Sequence, residues 1–304
     1  MGAERIATQQ PDTSTEYSIK IAMRDGFLSE ARVHRPSDER KHPLLVLLFG
    51  GGFMFGDCDQ LSPYARLATR LLNVTVVNLS YRLAPEHKFP TAPHDVWDGI
   101  LCITQNAEYL QVDLAAGFVI GGVSAGGNLA AVTTQKSLDE RLSPAVTGLW
   151  LGVPWVLESE IVPEKYKQVY LSRKQCSGAP GLDRQAMDMF NLAYDADVKS
   201  PDFSPFNSKN LHKGMPPTFV QVCDADPLRD DGLIYERALR EEGVETRLIV
   251  YPNIPHLFSD FFQLKAFKKF HFDILNSWAG LFKTHVAAED IRQALGNSPF
   301  ATCT

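Results

Sequence analysis

Apolar positions along this chain recur with two periods. Some segments are short, continuous apolar runs closed by glycine or polar residues; others repeat an apolar side chain every three to four positions. "HPLLVLLFGGG" (42–52) is of the first kind, the mark of a strand buried on both faces. "VTVVNLSY" (74–81), "AGFVIGGVS" (116–124), "VTGLWLGVPWV" (146–156), "PTFVQVCDAD" (217–226) and "ETRLIVY" (245–251) read as further strands. Ahead of them, "EYSIKIAM" (16–23) and "SEARVHRP" (29–36) read as two strands around the turn "RDG". In "SPYARLATRLL" (62–72), Tyr64, Leu67, Ala68 and Leu71 share a helical face, with Ser62 placed to cap it. Helices are also predicted over 94–110, after Ser124, over 229–243, and from Phe261 to about Leu295.

Strands that alternate with helices predict an α/β fold with a mostly parallel central sheet flanked by helices. Residues 157–216 break the rhythm. They carry prolines, charges and one helical stretch, "GLDRQAMDMFNLAYD" (181–195), but no buried strand. This segment reads as an insertion over one end of the sheet, a small helical lid on a single domain spanning 1–304.

Composition narrows the picture. Apolar residues make up 44% and charged residues 22% of 304, as in a globular chain rather than a disordered one. A net charge of −6 argues against a nucleic-acid surface, and Lys265–Lys269 reads as a solvated helix face. The polar N-terminus has no signal-peptide pattern, and Ile6 stands where myristoylation needs Ser or Thr. No run reaches the ~18–20 apolar residues of a membrane span. Five cysteines, odd in number and without a C-x-x-C, suit free thiols in a reducing compartment. Asn73 and Asn78 open N-x-[ST] triplets inside an apparent buried strand. The expectation is a cytoplasmic protein without a membrane span or nucleic-acid partner.

Candidate chemistry centres on "GGVSAGG" (121–127). Gly122-Val-Ser124-Ala-Gly126 fits G-x-S-x-G between a predicted strand and a helix start, the context of a nucleophile elbow. The turn is tight enough to demand small neighbours, and Gly122, Ala125, Gly126 and Gly127 are small. The helix start also offers the Ala125 N–H to a developing oxyanion. A serine nucleophile needs a base and the base an acid, which on such a sheet follow in the order Ser, acid, His at strand ends. Asp226 and His256 occupy those places, with Asp224 as the rival acid. "FGGGFMFGD" (49–57) ends the first long buried strand, and its glycines let backbone N–H groups approach a carbonyl. A phosphate loop is disfavoured, since no G-x-G-x-x-G or G-K-[ST] follows.

Together "FGGGF", "SYRLAPEHKFPTAPHD" (80–95), "GVSAGG", "DPLRDDG" (226–232) and "PHLF" (255–258) resemble the hormone-sensitive-lipase-like, H-G-G-G branch of the α/β-hydrolase fold over about 44–260. The resemblance implies carboxylester hydrolysis by a Ser124–Asp226–His256 triad. It also implies an oxyanion hole from Gly51, Gly52 and Ala125, and a lid from about residues 1–16 and 157–212. Three departures stand out. Phe49 replaces the histidine of H-G-G-G, Val123 replaces the usual acidic residue before the serine, and the segment before the first strand is short. Phe49, Phe53, Met54 and Phe55 make the oxyanion side apolar, which suits a hydrophobic or aromatic acyl or alcohol group; core packing accounts for such residues equally well.

The resulting expectation is a serine carboxylesterase needing no cofactor or metal, acting on small hydrophobic or aromatic esters. A lyase or cyclase on the same fold is the alternative, with Phe49 and Val123 as marks of drift. A small-molecule receptor is disfavoured because receptor members of the family lose the triad histidine, and His256 is present. The C-terminal aromatic helix, Phe261 to Phe282, suits either a pocket cap or a homodimer contact.

Overall fold

The computed structural model describes residues 14–256 and 265–296. Eight strands form one sheet: β1 (Ser14–Ala22), β2 (Leu28–Pro36), β3 (Leu44–Leu48), β4 (Thr75–Leu79), β5 (Phe118–Val123), β6 (Gly148–Gly152), β7 (Thr218–Cys223) and β8 (Thr246–Tyr251). Their spatial order is β1-β2-β4-β3-β5-β6-β7-β8. The β1–β2 and β2–β4 pairings are antiparallel, and every pairing from β4 to β8 is parallel. The helices are α1 (Ser62–Leu72), α2 (Thr91–Gln105), α3 (Ala125–Asp139), α4 (Ser172–Gln175), α5 (Arg184–Tyr194), α6 (Arg229–Glu241), α7 (Lys265–Leu281) and α8 (Ala288–Gly296).

The apolar run of β3 explains the layering. Because side chains alternate along a strand, Leu44, Val46 and Leu48 enter one core and Leu45 and Leu47 the other. The first core lies against α2, α3 and α6, through Val96, Ala130 and Ile234; the second lies against α1, α7 and α8, through Leu67, Trp278 and Ile291. Residues that must be apolar on both sides are therefore the ones the sequence shows as unbroken runs.

Three expectations are corrected. Ser62 does not cap α1: it lies inside the helix, and its buried hydroxyl bonds His34 Nε2 at 3.2 Å instead. The predicted C-terminal helix is two helices, α7 and α8, and the stretch 257–264, including the end of "PHLF", lies outside the described residues. Asn73 is not in a strand but ends α1 in a left-handed conformation, φ 56°. The insertion holds α4, α5 and three short 3₁₀ turns, and residues 1–13 of the expected lid lie outside the described region. Among the described residues, no helix is long and apolar enough to cross a membrane.

Candidate active site

The turn from β5 into α3 places Ser124 at φ 56°, ψ −118°, a sparsely populated region for a residue with a side chain. Neighbouring bonds hold it there. The Ser124 N–H donates to Gly152 O at 2.8 Å, and Ser124 O accepts from Asn128 N at 3.0 Å. The flanking glycines are sterically required. A Cβ on Gly122 would lie 2.1 Å from Gly126 O, and one on Gly126 would lie 2.2 Å from both Leu48 O and Phe49 O.

His256 arrives from the loop after β8, and Asp226 from the loop after β7. These loops are tied to each other by Asp224 N donating to Tyr251 O and Ala225 N donating to Ile254 O, each at 3.0 Å. His256 Nδ1 lies 2.6 Å from Asp226 Oδ2, and His256 Nε2 lies 3.0 Å from Ser124 Oγ. An ionised carboxylate only accepts, so the Nδ1 proton faces Asp226 and Nε2 is left to accept from the serine hydroxyl. The other Asp226 oxygen accepts from Leu228 N at 2.8 Å. All three side chains are buried. The rival Asp224 is about half exposed and turns toward Arg229, 3.9 Å away.

The loop after β3 lies against this serine, since a Cβ on Gly50 would sit 3.3 Å from Ser124 Cβ. Among the described residues, the amides of Gly51, Gly52 and Ala125 donate no hydrogen bond. Gly52 and Ala125 are buried and Gly51 half-buried, and the Ala125 amide, first in α3, has no intrahelical acceptor. Phe49, where the family has histidine, stacks on Tyr81 with ring centroids 4.1 Å apart, and Tyr81 OH donates to Phe49 O at 2.8 Å. Ala84 N donates to Phe53 O at 2.9 Å, so "SYRLAPEH" props the loop from beneath. Arg82 in that stretch pairs with the buried Asp95 at 2.7 Å.

The apolar residues of the loop divide. Phe49 and Phe53 are buried, Phe53 stacked on Tyr194 at 3.9 Å, so both build the underside of the loop rather than an open face. Met54 is half-buried against the core, and Phe55 is exposed. An aromatic ring from the insertion lies against the loop: a Cβ on Gly52 would lie 2.5 Å from the Phe190 ring of α5. Phe190 also meets Phe55 and Trp155 edge-on. It was legible only as part of an apolar stripe with Ala186, Met187 and Tyr194, which does not reveal what the stripe faces. Val123 is half-buried and packs on the core shared with α1 and α7. Among the described residues, no group of three or more His, Cys, Asp or Glu is gathered so as to hold a metal ion.

"DPLRDDG" does more than supply Asp226. Asp230 accepts from Leu171 N and Ser172 N, each at 2.6 Å. Asp231 accepts from Val156 N and Leu157 N at 3.0 and 2.9 Å and pairs with Arg173 at 3.1 Å. Asp230 and Asp231 fasten the insertion to α6.

A sheet of this order, with a serine at the β5–α3 turn facing a histidine–aspartate pair, defines a class. The family profile described as alpha/beta hydrolase fold matches residues 45–260. The chain belongs to the hormone-sensitive-lipase-like branch of the α/β-hydrolase family, whose members include carboxylesterases. An AB hydrolase superfamily protein of Schizosaccharomyces pombe is 35% identical over 92% of this chain and 83% of its own length. A versiconal hemiacetal acetate esterase of Dothistroma septosporum is 34% identical over 84% of this chain and 78% of its own. Among solved structures, a vibralactone cyclase superposes with a TM-score of 0.86 at 32% identity, covering 90% of this chain and 82% of that one.

Proposed function

We propose that this protein is a serine carboxylesterase for esters of small hydrophobic or aromatic molecules, with Ser124, His256 and Asp226 as its triad. The observation that carries the reading is the hydrogen-bonded line Asp226–His256–Ser124 beside three unpaired amides. In this reading His256 Nε2 takes the Ser124 proton as Oγ attacks the ester carbonyl carbon. The carbonyl oxygen gains the negative charge and is held by the N–H groups of Gly51, Gly52 and Ala125. The imidazolium, stabilised by Asp226, then protonates the departing alcohol and leaves an acyl-serine. Water, deprotonated by the same histidine, releases the acid and restores the serine. Phe190 lies against Gly52 and meets Trp155 edge-on, which supports an apolar or aromatic group beside this loop.

A second reading is supported by one observation. The vibralactone cyclase superposes better than the Pyrobaculum calidifontis esterase, whose TM-score is 0.77. In that reading the same serine and oxyanion hole serve ring closure, with a nucleophile of the substrate taking the place of water. Hydrolysis of p-nitrophenyl esters from acetate to octanoate separates the two. Turnover that disappears in Ser124→Ala, with longer chains gaining most in Phe190→Ala, is the expected result. No turnover by the wild type on any ester would refute the esterase reading and leave the cyclase reading ahead.

A further inference from the structure

The oxyanion loop has lost the family's histidine, yet it is held by a second device. Gln60, eight positions beyond Gly52, folds back so that its amide meets the backbone of Gly50 on both sides. Gly50 N donates to Gln60 Oε1 at 2.9 Å, and Gln60 Nε2 donates to Gly50 O at 3.3 Å. The turn that returns Gln60 is itself fastened. Asp57 Oδ1 accepts from Asp59 N at 2.8 Å, and Gln60 N donates to Asp57 O at 3.2 Å. Arg32 on β2 grips Asp59 with two bonds, at 2.9 and 3.0 Å. Gly50 is buried, and its Cα faces the elbow so closely that an added Cβ would fall 2.9 Å from Val123 O. Gly51 follows at φ 127° and Gly52 at φ 60°, conformations that glycine adopts readily and that leave the loop soft without an outside anchor.

We infer that Gln60 is a positioning residue for the oxyanion hole: its side-chain amide locks Gly50 and thereby aims the next two amides at the carbonyl oxygen. The inference rests on the ester-hydrolysis reading above. Donors that act on developing charge are worth most when held in place beforehand, so loosening them lowers kcat and leaves ground-state binding nearly untouched. Asp57 and Asp59 are exposed beside the turn, and Arg32 faces Asp59 from the sheet.

The test uses the full chain and a p-nitrophenyl ester, with kcat and KM measured from pH 5 to pH 8 for wild type, Gln60→Ala and Gln60→Glu. Gln60→Ala is expected to lose about tenfold in kcat, below the ~10²–10³ of deleting a donor outright, with KM changed less than about twofold. In Gln60→Glu the protonated carboxyl can both accept from Gly50 N and donate to Gly50 O, while the ionised form has no donor. Its kcat relative to wild type is therefore expected to fall as the pH rises, with unchanged thermal stability. A flat ratio across pH, or kcat within about twofold of wild type in both variants, overturns the inference alone. Absence of Ser124-dependent turnover in the wild type removes the reading beneath it and the inference with it.

Discussion

The fastening of the 157–216 insertion by Asp231 and Arg173 can be tested by a double-mutant cycle. Asp231 is completely buried and holds three donors: Val156 N, Leu157 N and Arg173 Nη2. Arg173, mostly buried, also donates to Leu157 O at 2.8 Å and to Tyr170 Oη at 2.8 Å, and its guanidinium lies over the Trp155 ring. Burial already raises the Asp231 carboxyl to about 8, so in Arg173→Met it is held protonated, and the loss of the guanidinium from Asp231, Leu157 O and Tyr170 Oη is expected to cost about 2–3 kcal/mol. Asp231→Asn keeps an oxygen for the amides and strands the guanidinium, with Glu158 still 3.7 Å away, so the smaller cost of about 2 kcal/mol is expected. Either single change already breaks the Asp231–Arg173 bond, so the double variant should be more stable than the sum of the singles by about 1 kcal/mol. Urea unfolding followed by tryptophan fluorescence reads all four proteins. Additivity within about 0.5 kcal/mol would refute the claim that this pair is coupled.

The elbow and the acid response give further outcomes. Gly126→Ala forces a Cβ to 2.2 Å from two backbone carbonyl oxygens that have no flexible end to yield, so α3 must shift. Loss of ester turnover with a drop of several degrees in Tm is expected; wild-type kcat would contradict it. Burial holds His34 and His212 neutral with pKa lowered to about 4, and His271 to about 3. In the unfolded chain such groups titrate near 6.5, so below that pH the unfolded state binds more protons and stability falls as the pH drops toward 4. Each contributes a loss of about 2 kcal/mol by pH 5. Scanning calorimetry at pH 7.5, 6 and 5 should show Tm falling steadily; a constant Tm would contradict the assignment.

Much of this protein was legible along the chain because the deciding physics is local. A strand buried on both faces is apolar at most positions, so β3 to β7 stood out as runs whose edges match the structure within a few residues, even with the buried Asn78 and Gln221 among them. The small residues about Ser124 answer to clashes with atoms only a few positions away in sequence or on the adjoining strand end. Asp226 and His256 could be placed because a parallel sheet delivers successive strand ends to one edge, and that order is itself a property of the sequence. Other features required the folded chain. Asp226 rather than Asp224 meets the imidazole of His256 because the loop buries the one carboxyl and leaves the other about half exposed. Phe49 and Phe53 turn under the loop because Tyr81 and Tyr194 come from distant segments to stack on them. The grip of Gln60 on Gly50, the ring of Phe190 on Gly52 and the Asp231–Arg173 pair are contacts that only the folded chain brings about. No periodicity encodes such contacts, because their energy exists only once two surfaces have closed and excluded water.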